Sequence, residues 1–130
     1  MVKYLLEFLM IMLLGILLDF FWIGFLSGNL YIDEIGHLLR LSPDGTLDAQ
    51  IIPALLVYVA FSLGIVTFVD RVRKGAILGL VIYTVYDMTN VSLLKGWSWK
   101  LAIIDIAWGT FLLSVLSFCY LSYKKFLQKN

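Results

Sequence analysis

A single cysteine, Cys119, excludes an intrachain disulfide and any cysteine-based zinc cluster. Charge is scarce too: 15% of the 130 residues are charged, and a net charge of +1 leaves no electrostatic footprint for nucleic acid. No serine or cysteine nucleophile is paired with a histidine, no glycine-rich loop is built to cradle phosphate, and no His-Glu-x-x-His run occurs. No cofactor or resident metal is therefore expected. Low-complexity runs are missing, and so are repeats of about 20 to 50 residues.

Hydrophobic residues are abundant, at 62% of the chain. Soluble domains average about 45 to 50%, and one small core could not hide so much apolar surface. The length allows one domain, residues 1–130. A helix crossing a bilayer needs about 20 apolar residues, and four stretches supply them: Tyr4 to Leu26, Gln50 to Val69, Gly75 to Leu94 and Leu101 to Ser122. The apolar runs are continuous rather than alternating, which argues against a β-barrel. The expected fold class is an all-α, four-helix transmembrane bundle. The first run is too long for a signal peptide, and Ser27-Gly28-Asn29 is a poor cleavage site, so that span is expected to be retained.

Four spans put both termini on one side. Lys3, Arg71, Arg73, Lys74, Lys124, Lys125 and Lys129 then share one face, against Arg40, Lys95 and Lys100 on the other. Excess Lys and Arg remain cytoplasmic, which predicts cytoplasmic termini in a bacterial inner membrane. The one long connection, Ser27 to Ala49, falls on the outer side. Within it Tyr31, Ile35, Leu38 and Leu39 recur at helical spacing, predicting a short interfacial helix between the first two spans. Ser42-Pro43-Asp44-Gly45 reads as a turn.

Four charged residues fall inside the spans, Glu7, Asp19, Asp87 and Asp105, and no Lys or Arg accompanies them. An Asp at a helix centre costs about 2.5 to 3.5 kcal/mol on insertion. Solvation must come from protonation, hydrogen-bond donors, water or a bound cation. At about 1.5 Å rise per residue, Asp19 and Asp87 lie about 10 Å and Asp105 about 6 Å below the outer ends of their spans, on one common layer. Glu7, a turn from the cytoplasmic end, reads as an interfacial charge.

Donors accompany the aspartates. Asp19 is three residues from Trp22 and Asp105 three from Trp108, while Tyr83, Asp87 and Asn90 share one face of the third span. If the first and fourth helices are antiparallel neighbours, each indole N–H would reach the opposite carboxylate. Trp97 and Trp99 fit an interfacial aromatic belt. Lone His37 reads as a surface residue. Gly24-x-x-x-Gly28 and Gly75-x-x-x-Gly79 match the small-residue packing motif, used for dimerisation or, more commonly, for close packing within a bundle.

Leu18-Asp19-Phe20-Phe21-Trp22-Ile23-Gly24, Tyr31 with Gly36, Tyr58 with Gly64, Gly79-Leu80 before Tyr83, Tyr86-Asp87-Met88-Thr89-Asn90 and Asp105-Ile106-Ala107-Trp108-Gly109-Thr110 resemble a bacterial family of predicted membrane proteins catalogued as a domain of unknown function. The resemblance runs over nearly the full chain. It implies a four-helix inner-membrane protein and supplies no activity.

The leading expectation is thus an acidic site in the outer half, made by Asp19, Trp22, Tyr83, Asp87, Asn90, Asp105 and Trp108. It would bind or conduct a proton, a cation or a small polar ligand, and a transporter of this size would need a homodimer or a partner membrane subunit. Three carboxylates suit a hard cation better than zinc. A second reading is an integral membrane enzyme working on a lipid or isoprenoid by carboxylate acid–base chemistry. A third is a structural or accessory subunit. Portal direction separates the first two: a lipid needs a sideways groove, an ion an opening to water.

Overall fold

The computed structural model describes residues 2–129, apart from the Lys129 side chain, whose place in the charge count lies outside the described residues. The described chain is helical, with four helical stretches long and apolar enough to cross a membrane. Helix α1 (Val2–Phe21) continues through a wide π-helical segment (Trp22–Ser27) into α2 (Gly28–Ile35) and a 3-10 turn (Gly36–Leu38). After a short irregular stretch come α3 (Ile51–Phe68), α4 (Val72–Leu93) and α5 (Trp99–Lys129).

The helix expected as a separate interfacial element is therefore the continuation of the first. Two local features support the wide turn. The Ser27 hydroxyl donates to the Trp22 carbonyl, five residues back, at 3.0 Å, and a side chain at Gly28 would bring its Cβ within 2.4 Å of the Ile23 carbonyl. The turn at Ser42 to Gly45 forms as expected: Gly45 N–H donates to the Ser42 carbonyl at 2.9 Å. Gly45 takes a positive φ of 82° there.

Contacts at 34 with 100, 31 with 105 and 19 with 108 make α1–α2 and α5 antiparallel. Both described ends of the chain consequently lie at one end of the bundle, here the terminal half; the other is the distal half. At the terminal end, Asp70 between α3 and α4 accepts from Lys74 Nζ at 2.7 Å and Arg71 Nε at 3.1 Å.

Two four-residue ladders hold α4 against α5. Gly75, Gly79, Tyr83 and Asp87 run up one helix, opposite Ser117, Leu113, Gly109 and Asp105 on the other. A Cβ on Gly75 would sit 1.9 Å from Ser117 Oγ, and one on Gly79 2.4 Å from the Gly109 carbonyl. Gly75-x-x-x-Gly79 is thus used for packing inside the bundle. At the next rung the small residue changes sides: a Cβ on Gly109 would meet the Tyr83 ring at 2.0 Å. The last rung sets Asp87 against Asp105.

Helix α1 buries Glu7, Ile11, Gly15 and Asp19 at the same spacing. The apolar core joins Ile11, Phe61, Ile65, Val69, Leu112, Leu113, Leu116 and Tyr120, and it fills the terminal half. The buried residues of α3 are Phe61, Ser62 and Ile65; none from Ile51 to Ala60 is buried. The distal half of α3 stands off the bundle.

Glu7 departs from the expectation of an interfacial charge. It is 0% exposed, and neither carboxylate oxygen has a hydrogen-bond partner among the described residues. The cause is its place on the same face as Ile11, Gly15 and Asp19, which turns it inward despite its closeness to the helix end. The Lys124 ammonium is near enough to feel Glu7 but donates to the Tyr120 hydroxyl at 3.2 Å.

Candidate functional site

Three helices deliver the carboxylates: α1 carries Asp19, α4 carries Asp87 and α5 carries Asp105, with exposures of 8%, 0% and 7%. Trp108 Nε1 donates to Asp19 Oδ1 at 2.7 Å, the cross-helix bond expected from the antiparallel pair. The Tyr58 hydroxyl of α3 donates to the other oxygen, Oδ2, at 3.1 Å. Both Asp19 oxygens are therefore satisfied by neutral donors, which suits an acid in a cavity lined by no Lys or Arg.

The reciprocal bond, Trp22 to Asp105, is not direct. Tyr31 stands between: its hydroxyl donates to Asp105 Oδ1, while Trp22 Nε1 donates to the Tyr31 oxygen at 3.5 Å. The π-helical segment is the reason, because the continued helix carries Tyr31 back over the end of α5. Trp22 instead lies flat on Trp108, with ring centroids 4.4 Å apart and planes within 4° of parallel. The stack joins the Asp19 side of the site to the Asp105 side.

Asp87 and Asp105 lie within hydrogen-bonding reach of each other. Asp87 Oδ1 accepts from Trp97 Nε1 at 3.4 Å, and Asp87 Oδ2 has no hydrogen-bond donor among the described residues. Trp97, expected in an aromatic belt, is thus turned inward onto a carboxylate and packs edge-on against Tyr86 at 5.9 Å. Trp99 is 63% exposed.

Of the seven residues singled out in the sequence, Asp19, Trp22, Tyr83, Asp105 and Trp108 line one cavity of about 220 Å³. Asp87 backs it through Asp105. Asn90 does not reach the carboxylates; its side chain bonds that of Tyr86. Tyr31, Tyr58, Tyr86 and Trp97 complete the polar set and were not anticipated as site residues. One sequence signal for Tyr58 was available: it is a phenol in the middle of an apolar span, with a hydroxyl that needs a partner. Among the described residues no group of three His, Cys, Asp or Glu side chains is placed to hold a metal ion.

The family model for DUF2177, described as a predicted membrane protein, matches residues 4–121. The chain belongs to that family. The matched stretch contains every site residue of this DUF2177 protein and all of α3 and α4. No curated protein and no solved structure matches the chain.

Side chains of the distal segment line the cavity from that side: Ile35, 2% exposed, with half-buried Leu39 and Trp97. A polar latch fastens that segment: Glu34 of α2 accepts from Ser98 Oγ at 2.5 Å and Lys100 Nζ at 2.9 Å. Ser98 is also the N-cap of α5, since its Oγ accepts from Leu101 N–H at 3.1 Å. Nearby, His37 packs on Gly96, where a Cβ would meet Nε2 at 2.5 Å and where φ is +85°.

The openings are lateral. One groove of about 670 Å³ lies between the α1–α2 stretch and α3, from Ile51 and Leu47 down to Tyr58 and Asp19. Another, of about 360 Å³, lies between α3 and α4, walled by Val57, Ala60, Phe61 and Ile82 and ending at Tyr83 and Asp105. Both flank the distal half of α3, where it stands off.

Proposed function

We propose that this membrane protein binds an amphiphile, taking it sideways from the bilayer and holding its polar head among Asp19, Asp105 and the phenols. One observation carries the reading: two mainly apolar grooves run between helices and each ends at a carboxylate of the site, Asp19 in one and Asp105 in the other. An ion site would need an opening to water instead. The absence of Lys and Arg from the spans favours a head that brings its own hydrogen-bond donors, hydroxyl or amine, over an anionic one.

Binding is the simplest use of this geometry. A second reading, acid–base chemistry on the bound head, is favoured by the close Asp87 and Asp105 pair beside a separately solvated Asp19, since carboxyl groups in unlike environments can take opposite proton-transfer roles. Topology follows the basic residues: Lys3, Arg71, Arg73, Lys74, Lys124 and Lys125 gather at the terminal end, which supports a cytoplasmic terminal end and a distal half in the outer leaflet of a bacterial inner membrane.

The test is native mass spectrometry of the purified protein with monoacylglycerol and a long-chain alkylamine as probes. Asp105→Asn and Asp19→Asn should each weaken binding about tenfold or more, as expected when a charge-assisted hydrogen bond is lost. Unchanged binding in both variants would remove the site.

A further inference from the structure

Helix α3 is a pillar with an opening on either side. Its distal half presents apolar side chains that nothing covers: Ile51 and Ile52 are 74% and 75% exposed, Leu56 60% and Val57 45%. The two grooves share this helix as a common wall, one using Ile51, Leu55 and Tyr58, the other Val57, Ala60 and Phe61. Tyr58 and Phe61 pack edge to face at 6.2 Å and form the sill between them.

Each groove ends at a different carboxylate, Asp19 on one side and Asp105 on the other, and both carboxylates line the same central cavity. We infer that the ligand carries two hydrocarbon chains on a small head free of phosphate, with the head in the central cavity and one chain leaving through each groove astride α3. The inference rests on the amphiphile reading above and sharpens it to a class resembling diacylglycerol.

Three features select that class. The cavity of about 220 Å³ has room for about seven water-sized groups at about 30 Å³ each, a head the size of glycerol. A phosphodiester would bring negative charge to a place already holding three aspartates, with no Lys or Arg among the residues that line the cavity. A ligand with one chain would fill one groove and leave the other apolar channel, which reaches the same cavity, without an occupant.

Native mass spectrometry with diacylglycerol and monoacylglycerol, on the full-length protein, tests this. Ala60→Phe narrows the groove between α3 and α4. Gly24→Leu narrows the one beside α1, at a position where a Cβ meets nothing within 4 Å. Ala60→Leu is the gentler substitute if the first variant does not fold. Each single block should lower diacylglycerol binding about tenfold, by excluding one chain, and spare monoacylglycerol, which retains the other groove. Diacylglycerol binding that survives either block, or that equals monoacylglycerol binding in the unaltered protein, overturns the two-chain inference and leaves the amphiphile reading standing. Failure of diacylglycerol, monoacylglycerol and the long-chain alkylamine all to bind, or binding indifferent to both Asp105→Asn and Asp19→Asn, overturns that reading itself.

Discussion

The two halves of this bundle solve opposite problems with the same helices. In the terminal half, glycine and serine let α4 and α5 close on each other, and Ile, Leu and Phe side chains fill the remainder. In the distal half the ladder positions that held glycine hold Tyr83 and Asp87, and α3 stands apart. A close-packed lower half fixes the helix axes; the upper half can then afford gaps, aromatic stacks and carboxylates. The lesson is that the site is built by a change of residue size along one unchanging four-residue spacing.

The sharpest way to break that comparison is to put a side chain on the packed half. Gly79→Val should cost about 3 kcal/mol or more, because the Cβ meets backbone at the Gly109 carbonyl and not a side chain that can move aside. Gly24→Ala, in the distal half, should shift stability by less than about 0.5 kcal/mol. Denaturation in mixed micelles measures both; equal effects would mean that the two halves are not packed differently.

Glu7 is the exception in the packed half, a buried acid with no hydrogen-bond partner among the described residues. Glu7→Leu should stabilise the protein by about 1 to 3 kcal/mol, the usual cost of a buried unsatisfied group. Asp19→Leu should do the opposite, since it strands the Trp108 and Tyr58 donors. Loss of stability in both variants, in the same micelle assay, would show that Glu7 has a supporting role like that of Asp19.

Trp108→Phe is a smaller cut: it retains a ring beneath Trp22 and removes one bond to Asp19. About 1 kcal/mol of stability should go, in the range of interhelical hydrogen bonds in membranes, while binding of the monoacylglycerol probe falls further. The smallest effect is at the terminal surface. The Lys74 ammonium, and next the Arg71 guanidinium, hold the Asp70 carboxyl below the usual carboxylate range. Its contribution is present above the unfolded-state value near 4 and disappears as pH falls through the lower folded value. Asp70→Asn should thus be slightly less stable than the parent near neutral pH and equal to it in strong acid, a small difference because the pair is exposed.

Much of the architecture could be read from composition and spacing. Three of the four apolar runs predicted helices at 50–69, 75–94 and 101–122 where 51–68, 72–93 and 99–129 are found, and counting put Asp19 level with Trp108 on the condition that the first and fourth helices are antiparallel neighbours. α5 outran its predicted end because Tyr123 to Gln128 contain no helix breaker and hydropathy marks only where lipid stops. Trp97 was misread because loop tryptophans and site tryptophans have the same composition; only the tertiary fold turns its N–H toward Asp87. Tyr31 was hidden for another reason: on an interfacial helix it belongs to the apolar face, and on a continued first helix its hydroxyl comes down onto Asp105. Glu7 was judged by depth when helical phase decided its burial.

The wide turn from Trp22 to Ser27 sets the angular phase of all that follows it in the first helix. Each residue of an α-helix advances the chain by about 100°, and the wide turn absorbs one extra residue without changing that phase, so adding one more residue there would swing Tyr31 and Glu34 together off α5. The Glu34 latch and the relay from Trp22 to Asp105 would be lost in one step, with no polar side chain altered. In this chain, the residue count between Trp22 and Gly28 sets the geometry of the candidate site along with the acids.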